Sequence, residues 1–471
     1  MPKKISVSPV TRISGLLSID LYLDENGRVK EANVIGEQFR GFEAMMKGRH
    51  VTDAVYFTQR ICGICSMAHG FTAARLVEQI YGVTPTPELV LLQQIMLGAE
   101  FLQNHIRHFY LLALPDYLDT NVIPNSGAQF CPADSRFNQK EQQRLTEHYF
   151  SAMEYSRKCH DALAVFGGKI PHQHGLTPEG VAVFPDADRR KQFLSLLLQV
   201  HDFLVNIQLP DVYLLAKVYS EYFQIGSGPY RFISFGLFDP RFGGHFPAGI
   251  INNGELIQIN PAEIRESIIY AWYEESESET RPAPDKPLAY TWVKAPRYRG
   301  LSYEGGPLAR KIIRNGNLSP GATATGTMAR LVARTEEAVL IAAWMGDWLK
   351  MLPMEGRYIS PLVSPFTNQA IQTNDAPRGP LLHAMATGDE KISAYRIITP
   401  STWNFSPKDE TGIRGPAEEA LIGAIANPAS PLEPGSANVG RIIRSFDPCL
   451  SCATHFIDWE GRNKLSLNIM I

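Results

Sequence analysis

The stretch Arg60-Ile61-Cys62-Gly63-Ile64-Cys65-Ser66-Met67-Ala68-His69 has a counterpart far along the chain, Asp447-Pro448-Cys449-Leu450-Ser451-Cys452-Ala453-Thr454-His455. Four of the six cysteines stand in these two Cys-x-x-Cys pairs, and a histidine trails each pair. A two-residue gap lets both sulfurs reach one metal, and thiolates select soft or borderline ions such as nickel, iron, copper(I) or zinc. The spacing therefore predicts a chain that brings its two termini together on a buried metal site.

Working outward, 471 residues with 44% hydrophobic content can bury a sizeable core, as one very large domain or as two to three merged lobes. Lys and Arg number 45 against 48 acidic residues, so there is no basic excess of the kind a phosphate backbone attracts, and nucleic acid is excluded as a partner. The remaining cysteines, Cys131 and Cys159, stand alone and read as structural; six in a chain this long make no disulfide framework, and paired thiols kept for metal imply folding in a reducing compartment. The start, Met1-Pro2-Lys3-Lys4-Ile5, has charge without an apolar run and is not expected to be a secretory signal. No stretch is expected to approach the roughly 20 apolar residues of a membrane span.

Leu17, Ile19, Leu21 and Leu23 alternate at period two before Asp24-Glu25-Asn26-Gly27, which predicts a hairpin over 16–35. Helical periodicity follows over about 51–81, 86–113, 138–166 and 187–224, with Pro210 expected to bend or split the last. Gly63 should break the first of these at the Cys pair. Short strands and turns fill about 231–300, a further long helix is expected over about 318–352, and 355–455 reads as functional loop. The expected fold class is α+β, predominantly α-helical: a long-helix bundle core with small peripheral sheets. The expected organisation is one large catalytic domain, 1–455: a β-hairpin region to about 45, a helical core to about 230, a mixed β/loop lobe to about 315, and a helix with active-site loops beyond.

Two Cys-x-x-Cys pairs could form a zinc staple. Zinc ribbons, however, close over tens of residues, whereas Cys65 and Cys449 lie 384 positions apart. Arg60 before one pair, Asp447-Pro448 before the other and the repeated histidine read as an outer layer built to tune a reactive metal. With Pro9-Val10-Thr11-Arg12-Ile13, Phe39-Arg40-Gly41-Phe42-Glu43, Gly167-Gly168-Lys169-Ile170-Pro171-His172, Ala376-Pro377-Arg378-Gly379 and Thr399-Pro400-Ser401-Thr402-Trp403-Asn404 in the same order, the chain resembles the large subunit of nickel-iron hydrogenases over nearly its whole length.

That resemblance implies a nickel held by four thiolates and an iron sharing two of them. Cys62 and Cys449 would be terminal on nickel, and Cys65 and Cys452 would bridge to an iron carrying cyanide and carbonyl. It implies a magnesium ion held by Glu43, the carbonyl of Ile397 and His455, in keeping with that ion's preference for oxygen ligands. Arg378 would lie over the metals with Asp116 and Asp447 as its carboxylate partners. Pro377 and Ser401 would line the wall beside the diatomic ligands, His69 would support a bridging sulfur, and His172 would face the electron-transfer partner.

One departure stands out. Many relatives read Arg-Ile-Glu-Gly-His where this chain has Arg12-Ile13-Ser14-Gly15-Leu16, so the glutamate credited with taking the proton is absent. Ser14 cannot serve as a carboxylate base, though with water it can pass a proton along. Residues 456–471 resemble the extension that a maturation endopeptidase removes after metal insertion.

The function implied is reversible heterolytic cleavage of hydrogen to protons and electrons. With no further cysteine cluster of iron–sulfur spacing here, the electrons must pass to clusters in a small partner subunit, as an obligate heterodimer or a dimer of heterodimers. The motif details look most like membrane-bound uptake enzymes of anaerobic bacteria, exported with the small subunit to the extracytoplasmic face and linked through it to a membrane cytochrome b. The alternative location is the cytoplasm. Two other readings are a hydrogen sensor signalling through a partner and a zinc-stapled, non-catalytic relative.

Overall fold

The apolar alternation near the start forms a three-stranded antiparallel sheet, Lys3–Val7, Leu17–Leu23 and Val29–Gly36 in that order, one strand more than the expected hairpin. Its buried face, Leu17, Ile19, Leu21, Val29, Ala32 and Val34, packs against Ala417 and Leu421 of the Pro416–Leu421 helix and Ile442 and Ile443 of the Gly435–Ser445 helix. Burial of this shared apolar surface, at about 25 cal/mol per Å², is what docks the start of the chain onto its far end. The computed structural model describes residues 3–119, 134–275, 280–316, 324–426 and 435–453.

Long helices make the centre. The expected 51–81 helix is two, Asp53–Thr58 and Ser66–Ile80, broken where the first Cys pair lies. Pro87–Arg107 starts from a Thr86 cap with proline in its first turn and continues into a π-helical His108–Ala113. Gln139–Gly167 opens with an Asn138/Glu141 capping box. The bend or split expected at Pro210 takes the form of a π-helical interruption just before it rather than a break in the chain's helical course. A π-helical turn, Leu204–Gln208, links Ala187–Phe203 to Leu209–Val218, placing Pro210 in a first turn where its missing N–H is tolerated.

Contrary to expectation, that joined run, Ala187–Val218, is long and apolar enough to cross a membrane by length and mean hydropathy alone. In this fold Phe193, Leu197, Val200 and Phe203 point into the core instead. Thr327–Met351 begins later than expected, and its buried face carries Arg330 and Arg334 as well as apolar residues.

The region read as loops, 355–455, holds an unforeseen antiparallel meander, Gln369–Ala376, Gly379–Gly388 and Lys391–Ile398. Ala376 pairs with Gly379, so Pro377 and Arg378 form the tip of its first hairpin. Gly379 sits at φ 127°, and a Cβ there would lie 2.7 Å from the Gly306 nitrogen, so only glycine fits. The four paired cysteines belong to the main apolar core. The mixed α+β class and the convergence of the distant segments on a buried site are as expected, with more sheet in the last third.

Candidate metal centre

Cys62 follows a short 3-10 turn, Gln59–Ile61, and Cys65 precedes the Ser66–Ile80 helix, so the first pair sits in the break between two helices. The second pair sits on the short Leu450–Ala453 helix and the residue before it. Backbone bonds lock that segment to the start of the chain: Ser14 N–H donates to the Pro448 carbonyl at 3.1 Å, and Leu450 N–H donates to the Ser14 carbonyl at 2.7 Å. Gly15 lets the backbones come this close, because a Cβ there would lie 2.4 Å from the Ser451 nitrogen.

All four sulfurs lie within 4.8 Å of one another and are buried. Cys62 Sγ is 3.4 Å from Cys449 Sγ, Cys65 Sγ is 3.3 Å from Cys452 Sγ, and Cys449 Sγ is 2.9 Å from Cys452 Sγ. None is in a disulfide. Bonds from Cys449, Cys452 and Cys65, with help from Arg378, hold the Cys62 thiol well below its ordinary range. Bonds to Cys449, Cys452 and Cys62 push Cys65 up, and burial pushes Cys452 up. Four soft donors that compete for protons at these separations fit a metal better than they fit one another.

Arg378 reaches the cluster from the hairpin tip. Its Nε donates to the Asp447 carbonyl and its Nη2 to Asp447 Oδ1, each at 3.0 Å, while Nη1 donates to Asn104 Oδ1 at 2.9 Å. Burial opposes its charge, but Asp447 and the neighbouring sulfurs of Cys449, Cys65 and Cys62 outweigh it and hold the guanidinium firmly protonated. Asp447, fully buried and in the left-handed region at φ 59°, also meets Arg334 Nη1 at 3.2 Å.

Asp116 is not a partner of Arg378. It accepts from Arg12 and takes both Arg444 contacts, at 2.8 and 2.9 Å. Arg12 and Arg444 lie beside it on the docked terminal segments, whereas Arg378 is already committed to Asp447 and Asn104.

Ser401 Oγ accepts from Cys449 N–H at 3.0 Å, which leaves its own hydroxyl proton free to donate elsewhere. The Pro377 carbonyl accepts from Arg310 Nη2 at 3.0 Å. His69, expected to support a sulfur, shares its Nδ1 bond with His383 Nε2 at 3.1 Å, and His383 Nδ1 meets the Tyr395 hydroxyl at 2.9 Å. Burial lowers His69 to about 4, so it is neutral at physiological pH. His172 Nδ1 lies 2.9 Å from Arg60 Nη1 on the outer side of the first pair.

Glu43 and Ile397 come together: the Ile397 N–H donates to Glu43 Oε1 at 2.8 Å, and Lys294 Nζ lies 3.2 Å from Oε2. The expected ligand His455, the lone Cys131 and the 456–471 extension lie outside the described residues, while Cys159 is buried and its thiol is raised by burial, as a structural cysteine should be.

Sequence reasoning missed Asn104, Glu100 and Arg334. The run Glu100-Phe101-Leu102-Gln103-Asn104-His105 crowds polar residues into an otherwise apolar helix, and that was the available signal.

The family model for nickel-dependent hydrogenase matches residues 40–131 and 132–455, and one described as HoxL-like matches 4–35. The chain belongs to the nickel-dependent hydrogenase family. It is 33% identical to the periplasmic [NiFeSe] hydrogenase large subunit of Desulfomicrobium baculatum, covering 99% of this chain and 97% of that one. It is 28% identical to the hydrogenase-2 large chain of Escherichia coli K12, over 100% of both chains, and to the quinone-reactive Ni/Fe-hydrogenase large chain of Wolinella succinogenes, over 99% and 98%.

The Ni-Fe-Se hydrogenase structure of D. vulgaris Hildenborough in the reduced state superposes with a TM-score of 0.90 at 33% identity, covering 97% of this chain and 100% of that one. As in this family, the chain is a catalytic large subunit and an oxidoreductase acting on hydrogen; the sensor and zinc-staple readings lose to it.

Proposed function

We propose that the four sulfurs hold a nickel-iron centre, with Cys62 and Cys449 terminal on nickel and Cys65 and Cys452 shared with an iron that carries cyanide and carbonyl. The observation that carries this is the pairing of sulfurs across the two motifs: the first cysteine of one faces the first of the other, and the second faces the second. Such a centre supplies redox-active metals that polarise hydrogen for heterolytic cleavage. Pro377 and Ser401 stand at the wall, where the free Ser401 hydroxyl is available to a diatomic ligand. Glu43, the Ile397 carbonyl and His455 would hold a magnesium ion, and the Ile397 N–H and the Lys294 ammonium orient the Glu43 carboxylate by donating to it.

The chain's own groups handle the proton. Arg378, fixed by Asp447 and Asn104, keeps a positive charge beside the sulfurs and stabilises a thiolate there. Ser14 Oγ donates to Ser451 Oγ at 3.4 Å, and both line an open cleft of about 300 Å³ with Gln38, Arg40, Arg60 and Cys62. Water in that cleft, relayed by Ser14, takes the place of the glutamate. Unchanged hydrogen oxidation and proton–deuterium exchange in Ser14→Ala would rule this route out.

Electrons leave to iron–sulfur clusters of a small partner subunit on the Arg60 and His172 side, and the pair works at the extracytoplasmic face of the membrane with a cytochrome b. The periplasmic and quinone-reactive relatives support this reading, and a maturation endopeptidase acting after His455 belongs to it. Metal analysis with infrared spectroscopy tests the whole: nickel and iron with cyanide and carbonyl bands are expected, and zinc alone would end the proposal.

A further inference from the structure

Arg107 closes the Pro87–Arg107 helix half-buried, and among the described residues no carboxylate reaches its guanidinium and no acceptor meets its N–H groups. The buried guanidiniums of Arg310, Arg330, Arg378 and Arg441 each meet a carboxylate. Burial lowers Arg107 from its ordinary value and the Arg378 charge adds to that, while Asp447 and Cys62 pull the other way. A charge drawn partly out of water is normally met by an opposite charge or by a set of acceptors. Here that complement is missing.

Its place is the edge of the Cys62–Cys65 loop. Three residues earlier on the helix, Asn104 Nδ2 donates to the Ile64 carbonyl at 2.9 Å, and a turn before that Glu100 accepts from the N–H groups of Met67 and Ala68 at 2.6 and 2.9 Å. At i, i+3 spacing Arg107 follows Asn104 along the same side. Gly63, in the middle of the loop, is exposed, and a Cβ there would lie 3.9 Å from Pro171, next to the His172 that meets Arg60. Arg60, Lys169 and His174 are exposed around it, and after burial it is their charges that lower His172. His160, lowered to about 4 by burial and then by Arg107, is neutral, and Asp161 beside it is already paired with Arg157 at 2.5 Å. The rim around Gly63 is therefore cationic.

We propose that the small partner subunit covers Gly63 with an acidic surface and that one of its carboxylates pairs with Arg107. This rests on the reading that electrons leave on the Arg60 and His172 side. A cationic rim selects an anionic face, speeds the encounter and fixes its register. Arg107 is the rim's strongest anchor, because it is already partly stripped of water and its planar fork matches a carboxylate with two parallel bonds. The pair lies beside the loop that carries Cys62 and Cys65, so it sets how closely the partner approaches the sulfurs.

The test uses the full chain with its small subunit. Arg107→Glu should raise the dissociation constant of the heterodimer by about a hundredfold or more, whereas Lys350→Glu, a reversal at a remote exposed residue, should leave it at the parental value. Arg107→Lys keeps the charge and supplies an amine. A water-soluble carbodiimide, which joins an amine to a carboxylate as an amide with loss of water, should then link position 107 to an Asp or Glu of the small subunit, identified by mass spectrometry. Hydrogen exchange of the chain alone and in the heterodimer shows which face is covered.

Parental affinity in Arg107→Glu overturns the proposal, and so does a cross-link from position 107 to this chain, to a second copy of it or to nothing. If the small subunit protects residues 60–64 and 167–174 from exchange while the Arg107 variants behave in one of those ways, the pairing alone is wrong. If those segments stay unprotected, the reading of the electron-exit face is what fails. Should Arg107→Glu not fold, the cross-link in Arg107→Lys decides: a small-subunit carboxylate supports the proposal, and any other result overturns it.

Discussion

Replacing Arg310 with methionine should unseat the hairpin that presents Arg378. Arg310 is fully buried and uses all five N–H donors: Nε and Nη2 on the two oxygens of Glu337 at 2.8 and 2.7 Å, Nη1 on Asp375 Oδ2 at 2.9 Å and on the Ala376 carbonyl at 3.2 Å, and Nη2 on the Pro377 carbonyl at 3.0 Å. Removing one member of a buried ion pair costs about 3–5 kcal/mol, and each stranded carbonyl adds about 1–3 kcal/mol if water cannot reach it. These terms are not additive, so a loss of about 5 kcal/mol is expected, a large part of the roughly 5–15 kcal/mol that holds a protein folded.

The assay is denaturant unfolding beside Lys311→Ala, which removes only a partly exposed pair with Glu336 and should lose less than about 1 kcal/mol. Acid titration adds a signature. Burial works against the Glu337 charge, but Arg310 outweighs it and holds the carboxyl down at about 2. Its stabilisation is therefore full above the ordinary carboxylate range and is lost as pH falls through about 2, and Arg310→Met should abolish that acid resistance. An Arg310→Met variant within about 1 kcal/mol of the parent would refute the reasoning.

Three further outcomes follow from the same geometry. Burial lowers His69 and His105 to about 4 and His108 to about 3, so the unfolded chain binds more protons and stability should decline as pH falls from about 6.5 toward 4, measurable by thermal melts across that range. Gly379→Ala, strained at φ 127° and 2.7 Å from the Gly306 nitrogen, should displace the Arg378 tip and cut turnover at least tenfold with metal retained. Asp116→Asn should weaken the Arg12 and Arg444 anchors and lower the melting temperature, yet change turnover far less than Asp447→Asn; equal loss of turnover would contradict the separation of the two carboxylates.

What the sequence made legible was carried by spacing. The two Cys pairs announced both the site and the meeting of distant segments, and period-two alternation announced the first sheet. The Gln369–Ile398 meander was hidden because its strands mix polar and apolar residues and its hairpin tip looks like loop punctuation. Pro210 announced an interruption but not its form, since a π-turn is a backbone adjustment with no residue signature. Asp116 was placed with the wrong arginine because that pairing came from the resemblance, and a motif position does not say which of several buried guanidiniums lies closest. Asn104 and Glu100 escaped because a polar residue on a helix reads as solvent-facing until the packing around it is known.

The bond from Ser14 to Pro448 and Leu450 also sets an order of events in the cell. Cys62 and Cys449 are 387 positions apart, and closing a loop of that length costs about 5 kcal/mol of chain entropy before any contact repays it. During synthesis the first Cys pair leaves the ribosome long before its counterpart exists, so half of the site must wait, reduced and incomplete, through most of translation. Assembly of the centre is then a late, high-contact-order event in which the seam between distant segments seals over the metals, and a thiol oxidised during that wait would be lost to the site before it could form.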